Sequence, residues 1–345
     1  MTKHLVSTIS EIQAEVDFSG SILVENNDKV LLNQNFGYAN RSDKIEVNSS
    51  TRFGIASGCK LFTAIAISQL VENEKLSFGS KLSECVDLEF KHIDKNVTVH
   101  QLLTHTSGIP DYFDEDTMDD FEEVWMTHPM YHVRRLKDFL PLFQDEPMKG
   151  NAGDEFQYNN AGYILLGLIV EHVSGLEFTD YIQLNIFNKA DMSDSGYFAF
   201  DSLPERTALG YIDNSDGTWK SNIYSMPVKG GSDGGAYITT GDMAKLWTSL
   251  MNFSLLSKSY TNKLLYPHVQ DPEDDDSFYG YGTWIKKTSG DRILRYHVMG
   301  YDPGVSFHSA YYPDLSVTSV VCSNKSDGAA DIMIGIEEEL LGLNN

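Results

Sequence analysis

The chain is poor in cysteine, in basic residues and in long apolar runs, and each shortage removes a class of explanation. Cysteine occurs three times in 345 residues, as Cys59, Cys85 and Cys322. An odd number at these separations fits neither a zinc site nor a disulfide framework, and free thiols suit a reducing compartment. Lys and Arg total 26 against 50 Asp and Glu, a formal net charge of −24. No Lys/Arg cluster forms a stripe for phosphates. A chain this acidic repels nucleic acid and anionic membranes at long range, so neither is expected as a partner. No apolar run approaches the ~18 residues that a membrane span needs. The opening MTKHLVSTISEIQ lacks the apolar core and cleavage-like site of a secretory leader. The expected location is the cytoplasm, with a secreted chain trimmed of its leader as the alternative. No motif calls for a metal or a cofactor.

What is present is ordinary globular material, 41% hydrophobic and 22% charged. It suffices for two lobes or one large α/β domain without cross-links. Residues 4–16 read as a short amphipathic helix. SILVEN and KVLLNQNFGYAN read as two strands joined at Asn26-Asn27-Asp28, a hairpin signal. Residues 61–71 are apolar almost all round, which predicts a helix buried on most sides. From about 76 to 274 helices and loops prevail. VTVHQLLTHTSGIPDY reads as a helix ended by Ser107-Gly108 and Pro110. AGYILLGLIVEHVSG reads as a helix ended at Gly175, and TTGDMAKLWTSLM as one capped by Thr240 or Asp242. Beyond Tyr279 strands return in YGYGTWIKK, RILRYHVMG, GVSFHSAYY and SVTSVVCSN, before an amphipathic helix in AADIMIGIEEELLGL.

Strands at both ends and helices between them predict an antiparallel sheet made by the two termini (1–75 and 275–345), flanked by helices. A mainly helical lobe (76–274) is inserted between them, with the active site in the cleft. The segment 111–125, DYFDEDTMDDFEEVW, carries eight acidic residues and no basic one. It reads as a solvated loop or helix start. Calcium binding is a minor alternative, because the order of ligands and glycine of an EF-hand is missing.

Three constellations carry chemistry. The first is GIASGCK, residues 54–60, ahead of the apolar helix. Positions three apart share a helix face, so Ser57 and Lys60 point into one cleft, while Cys59 is turned about 200° away and packs. A serine needs a base within hydrogen-bond reach, and a lysine serves if burial or nearby positive charge lowers its pKa. Backbone N–H groups at the helix start suit an oxyanion. Taken alone, a capping serine beside a solvated lysine explains the motif equally. The second is Tyr158, Asn159 and Asn160 before another apolar helix. Tyr158 can relay a proton and Asn160 can donate to a carbonyl while accepting from a lysine. Alternatively, Asn159 or Asn160 caps the helix. The third is RILRYHVMGYDPG. Strand alternation puts Arg295, His297 and Met299 on one face and Leu294, Tyr296 and Val298 on the other. On an edge strand His297 could line the cleft and the N–H near Gly300 could be a second oxyanion donor, with a satisfied structural histidine as the alternative.

In order, the three resemble the serine β-lactamase and penicillin-binding-protein superfamily, in its class C β-lactamase, D-alanyl-D-alanine carboxypeptidase and esterase branch. Two further blocks, VTVHQLLTHTSGIPDY and GGAYITTGDMAKLW, are similar to stretches of that branch, and the resemblance covers about residues 20–325. It implies an α/β (α+β) fold of β-lactamase/transpeptidase type and a hydrolase working through a Ser57 acyl-enzyme. It also implies that Lys60 and Tyr158 share the proton transfers, Asn160 positions the substrate carbonyl, His297 fills the family's Lys/His position, and the N–H groups of Ser57 and Gly300 hold the oxyanion.

The third motif departs from the pattern. Lys/His-Thr/Ser-Gly is replaced by His297-Val298-Met299-Gly300, which has no hydroxyl for a substrate carboxylate. That favours a neutral ester or amide over a β-lactam or a D-alanyl-D-alanine end. The partner implied is thus a small molecule; oligomeric state is not legible. Two rivals remain. Gly230-Gly231-Ser232-Asp233-Gly234 matches G-x-S-x-G, but AYITT after it is more strand-like than helical, which disfavours Ser232 as a nucleophile. The other rival is a catalytically eroded binding protein on the same scaffold.

Overall fold

The computed structural model describes residues 2–27, 29–114, 117–118 and 120–342. Strand-forming segments of the two terminal regions produce one eight-stranded antiparallel sheet, several of whose strands are buried along nearly their whole length. Its strands are β1 (Gly20–Asn26), β2 (Lys29–Phe36), β3 (Val269–Asp271), β4 (Asp274–Tyr279), β5 (Trp284–Lys287), β6 (Ile293–Asp302), β7 (Val305–Tyr312) and β8 (Val317–Ser323). They lie in the order β2-β1-β8-β7-β6-β5-β4-β3, so the sheet's first and last strands in sequence are neighbours, next to the β2 edge. The expected hairpin is β1–β2; Asp28 of its turn lies outside the described residues.

Both faces of the sheet are covered. On one, Ile22, Val24, Ala310, Tyr312 and Val321 pack with Leu5 and Ile9 of helix α1 (Thr2–Glu15) and Ile332, Met333 and Ile336 of the last helix. On the other, Leu23, Val298, Phe307, Val320 and Cys322 join a core built on α2 (Lys60–Glu72), α3 (Asn160–Ser174) and α4 (Thr240–Met251). The last helix, α5, spans Ala329–Leu341. Every residue of α2 from Lys60 to Val71 is buried, as its uniformly apolar sequence demands.

Several boundaries differ from the sequence expectation. The sheet's C-terminal part begins at Val269, inside the stretch expected to be helical, because residues 277–279, after three exposed aspartates, pair with 284–286 and hide only Ser277 and Tyr279. The inserted region carries short strand pairs of its own, such as Tyr211–Asp213 with Trp219–Ser221. The helix in VTVHQLLTHTSG is only Val99–Leu103, broken by His105 in the left-handed region at φ 57°. Thr239, not Thr240 or Asp242, caps α4: its Oγ1 accepts the Asp242 N–H at 3.1 Å. The Asp242 carboxylate instead accepts the Asp194 N–H and the Ser195 hydroxyl.

His297 and His308 meet on the face covered by α1 and α5, with Nδ1 and Nε2 3.0 Å apart. Burial pushes both imidazoles down, His308 to about 3 from an ordinary 6.5. The unfolded chain therefore binds protons that the folded chain refuses, and the contribution of His308 to stability falls as pH drops from about 6.5 toward 3, by about 1.4 kcal/mol per pH unit. Urea denaturation between about pH 4.5 and 7 checks this. His308→Gln flattens the slope by at least one histidine's share; an unchanged slope contradicts it.

Candidate active site

After the short strand Phe53–Gly54, Ala56 takes φ 45° and the chain enters a single 3-10 turn, Ala56–Cys59, that runs directly into α2. A left-handed alanine costs about 1–2 kcal/mol, so the surroundings must hold it. The Ile55 N–H donates to the Ala236 carbonyl at 3.0 Å, and the Gly235 N–H donates to the Ala56 carbonyl at 3.3 Å. The kink sets Ser57 at the mouth of a helix start. Cys59 faces inward as expected: it is fully buried, its thiol is 3.7 Å from the Gly231 carbonyl, and burial pushes its pKa up to about 12.

Lys60 is buried at 1% exposure and its Nζ meets three oxygens. These are Ser57 Oγ at 2.9 Å, Asn160 Oδ1 at 2.7 Å and the Asp233 carbonyl at 2.8 Å. Three acceptors match the three N–H donors of an ammonium. The same nitrogen lies 4.8 Å from the centre of the Tyr158 ring, within reach of a cation–π contact. Ser57, Lys60, Tyr158 and Asn160, a hundred residues apart in sequence, thus converge.

His105 organises the loop that carries Tyr158. Its carbonyl accepts the Gln157 N–H at 2.8 Å and its Nδ1 accepts the Asn159 N–H at 3.0 Å, one bond on each side of the tyrosine. The two ring centres lie 4.3 Å apart, with the planes tilted by 33°. Burial, and then the Lys60 charge, push His105 well below the ordinary histidine range, so it is a neutral acceptor. Asn159 caps α3 by accepting the Gly162 N–H at 2.7 Å, which leaves the side chain of Asn160 for Lys60.

The third motif is arranged differently from expectation. β6 is an interior strand between β5 and β7, not an edge. Its pairing with β7 runs without a bulge from Tyr296 to Asp302, so residues of opposite parity point to opposite faces. Gly300 faces Ser57: a Cβ there would stand 2.2 Å from the Ile55 carbonyl oxygen and 2.7 Å from the Ser57 nitrogen. His297 faces the other way, against His308 beneath α5. It is therefore not brought to Ser57, and two positions before Gly300, where the family pattern has Lys or His, the residue turned toward the serine side is Val298.

A cavity of about 500 Å³ opens over Ser57 and Asn160, a volume suited to a small molecule. Phe113, Phe121, Phe200, Met226 and Tyr237 make its walls apolar, and its charged lining residues are Asp120, Asp233 and Asp302. Among the described lining residues there is no Lys, Arg or His. The acidic segment 111–125 thus forms a wall rather than a merely solvated loop, with a helix over Glu122–Thr127; residues 115, 116 and 119 lie outside the described ones. Ser232 is fully buried and turned from the cavity toward α3, where a Cβ on Gly167 would meet its Oγ at 2.3 Å.

Asp111, Tyr112 and Asp233 were not singled out by sequence, although Asp111 and Tyr112 end the quoted HTSGIPDY block and Asp233 sits in the glycine-rich GGSDGG. The usable signal was the glycine density beside an aspartate: a Cβ at Gly230 would stand 2.5 Å from the Gly234 carbonyl oxygen, so the tight 230–235 turn that presents the Asp233 carbonyl requires glycine there.

The family model described as Beta-lactamase matches residues 7–341 of the chain. Penicillin-binding protein 4* of Bacillus subtilis is 28% identical over 341 residues, covering 94% of this chain and 72% of that protein. The penicillin binding protein from Bacillus halodurans superposes with a TM-score of 0.91 at 58% identity, over 95% of this chain and 99% of the other. A D-stereospecific amidohydrolase from Streptomyces superposes with a TM-score of 0.81 over 98% of both chains at 19% identity, a likeness of fold alone.

The contact between β6 and the Ser57 turn leaves no room for a side chain. Gly300→Ala is expected to lower the rate of serine acylation by about a hundredfold while the protein stays folded, because the displaced turn carries the nucleophile. Acylation kinetics alongside circular dichroism check this; an unchanged rate contradicts it.

Proposed function

The chain belongs to the Beta-lactamase family, and on that footing we propose that it is a serine hydrolase that cleaves a small, uncharged ester or amide through a Ser57 acyl-enzyme. The observation that carries this is the position of Lys60 Nζ, 2.9 Å from Ser57 Oγ and also bound to Asn160 and the Asp233 carbonyl. With Lys60 Nζ donating to Ser57 Oγ as well as to the other two oxygens, the proton of Ser57 needs a second acceptor. Tyr158 takes that part, its phenolate stabilised by the neighbouring cation. The Ser57 oxygen then bonds the substrate carbonyl carbon. The resulting oxyanion is held by N–H groups of the Ser57 turn and of β6 at Gly300. The C–O or C–N bond breaks, and the leaving group takes the proton back. Water, activated by the same tyrosine, hydrolyses the acyl-serine and restores Ser57.

The lining supports the substrate class. A penicillin or a D-alanyl-D-alanine end brings a carboxylate, and the cavity offers it carboxylates and phenyl rings instead of a cation. A penicillin-acylated carboxypeptidase is the second reading. It is favoured by the 58% identity to a protein described as penicillin binding.

Intact-mass measurement after exposure to p-nitrophenyl esters, D-amino acid amides and penicillins separates these. The expected result is an acyl adduct from an ester or amide that maps to Ser57, disappears in Ser57→Ala and persists in Ser232→Ala. Turnover of a chromogenic cephalosporin at ordinary β-lactamase rates contradicts the substrate assignment. No adduct with any serine-directed probe leaves a binding protein.

A further inference from the structure

We propose that Asp111 and Tyr112 are a positioning pair for this chemistry, adjacent residues that separately fix the two permanent oxygen partners of Lys60. The inference rests on the serine-hydrolase assignment above and adds to it the device that aims the lysine.

Of the three oxygens around Lys60 Nζ, Ser57 Oγ is the reacting atom. The other two, Asn160 Oδ1 and the Asp233 carbonyl, must stay in place while Ser57 bonds to substrate and is released. They belong to segments far apart in the chain. Neither segment is rigid of itself at that point: Asn160 is the first residue of α3, and Asp233 lies in a turn with glycine at 230, 231, 234 and 235.

Asp111 holds the first. Its Oδ2 accepts the Asn160 N–H at 2.7 Å, and its Oδ1 accepts the Ala161 N–H at 2.9 Å and the Tyr112 N–H at 2.8 Å. The opening N–H groups of a helix have no partner within the helix, so a carboxylate placed across them sets where the first residue stands. The next residue holds the second. The Tyr112 hydroxyl donates to Asp233 Oδ2, anchoring by its side chain the residue whose carbonyl faces Lys60. Tyr112 is buried and packs on Phe139, with ring centres 5.4 Å apart, so its hydroxyl is aimed by the core rather than by solvent. Two bonds from Asn159 and Asn160 to the backbone of the same stretch, to the Ile109 carbonyl at 2.9 Å and the Phe113 carbonyl at 3.5 Å, tie it to the start of α3.

Withdrawal of the Asp111 carboxyl from water raises its pKa, against the pull of the three N–H groups and of Lys60. Withdrawal of Asp233 raises its pKa too, against Lys60 and the Tyr112 hydroxyl. Both carboxylates thus lie within the field of the buried ammonium. Each reaches it through the oxygen it positions, not by direct contact. Removing either brace leaves Lys60 present and buried but free to shift relative to Ser57 and Tyr158.

Stopped-flow acylation by p-nitrophenyl acetate tests the pair, since saturation separates the acylation rate constant k2 from the binding constant Ks. Tyr112→Phe removes one hydroxyl and keeps the ring. The expected result is a fall in k2 of about ten- to a hundredfold with Ks changed less than about twofold. Asp111→Asn, which faces an N–H with an amide donor, is expected to do the same. The double variant loses less than the product of the two, because both act on one lysine. The proposal is overturned if k2 of Tyr112→Phe stays within about twofold of the unsubstituted protein, or if the loss lies in Ks. If the unsubstituted protein forms no Ser57 adduct, the hydrolase assignment itself fails, a result distinct from acylation that the variants leave intact.

Discussion

A buried lysine nitrogen with three oxygen partners organises this protein. Moving a lysine head from water into a core is unfavourable by several kcal/mol unless hydrogen bonds and opposite charge replace the water. Lys60 obtains them from Ser57, Asn160 and the Asp233 carbonyl, with the Asp111 and Asp233 carboxylates nearby. Three chain segments therefore close on one nitrogen, and each is shaped by the need to reach it: the kink at Ala56, the first residue of α3, and a turn made almost wholly of glycine. If the lysine were absent, Asn160 Oδ1 and the Asp233 carbonyl would each lose a buried donor, at about 1–3 kcal/mol apiece.

The sheet contributes the fourth side. β6 passes so close to the Ser57 turn that only glycine fits at position 300. Backbone N–H groups are thereby placed near the nucleophile without any side chain being spent on the task. The same closeness determines which way β6 faces. With Gly300 turned to the serine, Val298 shares its face and His297 cannot. The cavity consequently has Ser57 at its base with Lys60 buried behind it, and a lining of phenyl rings and carboxylates in front. On the function proposed above, that lining disfavours a substrate whose recognition depends on a carboxylate.

Much of this was legible in the sequence, and what was not has specific causes. Ser57 and Lys60 are three apart at the head of an apolar helix, so local geometry alone brings them together. The pairing of the two termini followed from strand-like segments at both ends of the chain, SILVEN and SVTSVVCSN among them, with helices between them. His297 was misplaced for a reason also present in the sequence: it and Gly300 differ in parity, and on an unbulged strand both cannot face the same serine. The short strands at 269–279 were hidden by Asp274, Asp275 and Asp276, exposed on the strand next to the sheet's edge, where charge is tolerated and hydrophobic alternation fades. His105, Asp111, Tyr112 and Asp233 act through hydrogen bonds to groups 49 to 121 residues away. No periodicity or local spacing encodes such contacts.

The central claim, that Lys60 is held by Asn160 and Asp233 while Ser57 is acylated, is tested most directly by a crystal structure of the protein after reaction with an aryl phosphonate ester. The account predicts density continuous from Ser57 Oγ to phosphorus, with Lys60 Nζ still within hydrogen-bond distance of Asn160 Oδ1 and the Asp233 carbonyl and the phosphonyl oxygen lodged between the Ser57 turn and Gly300. An unmodified Ser57 with phosphorus bonded elsewhere, or a Lys60 turned away from both oxygens in the adduct, would contradict it.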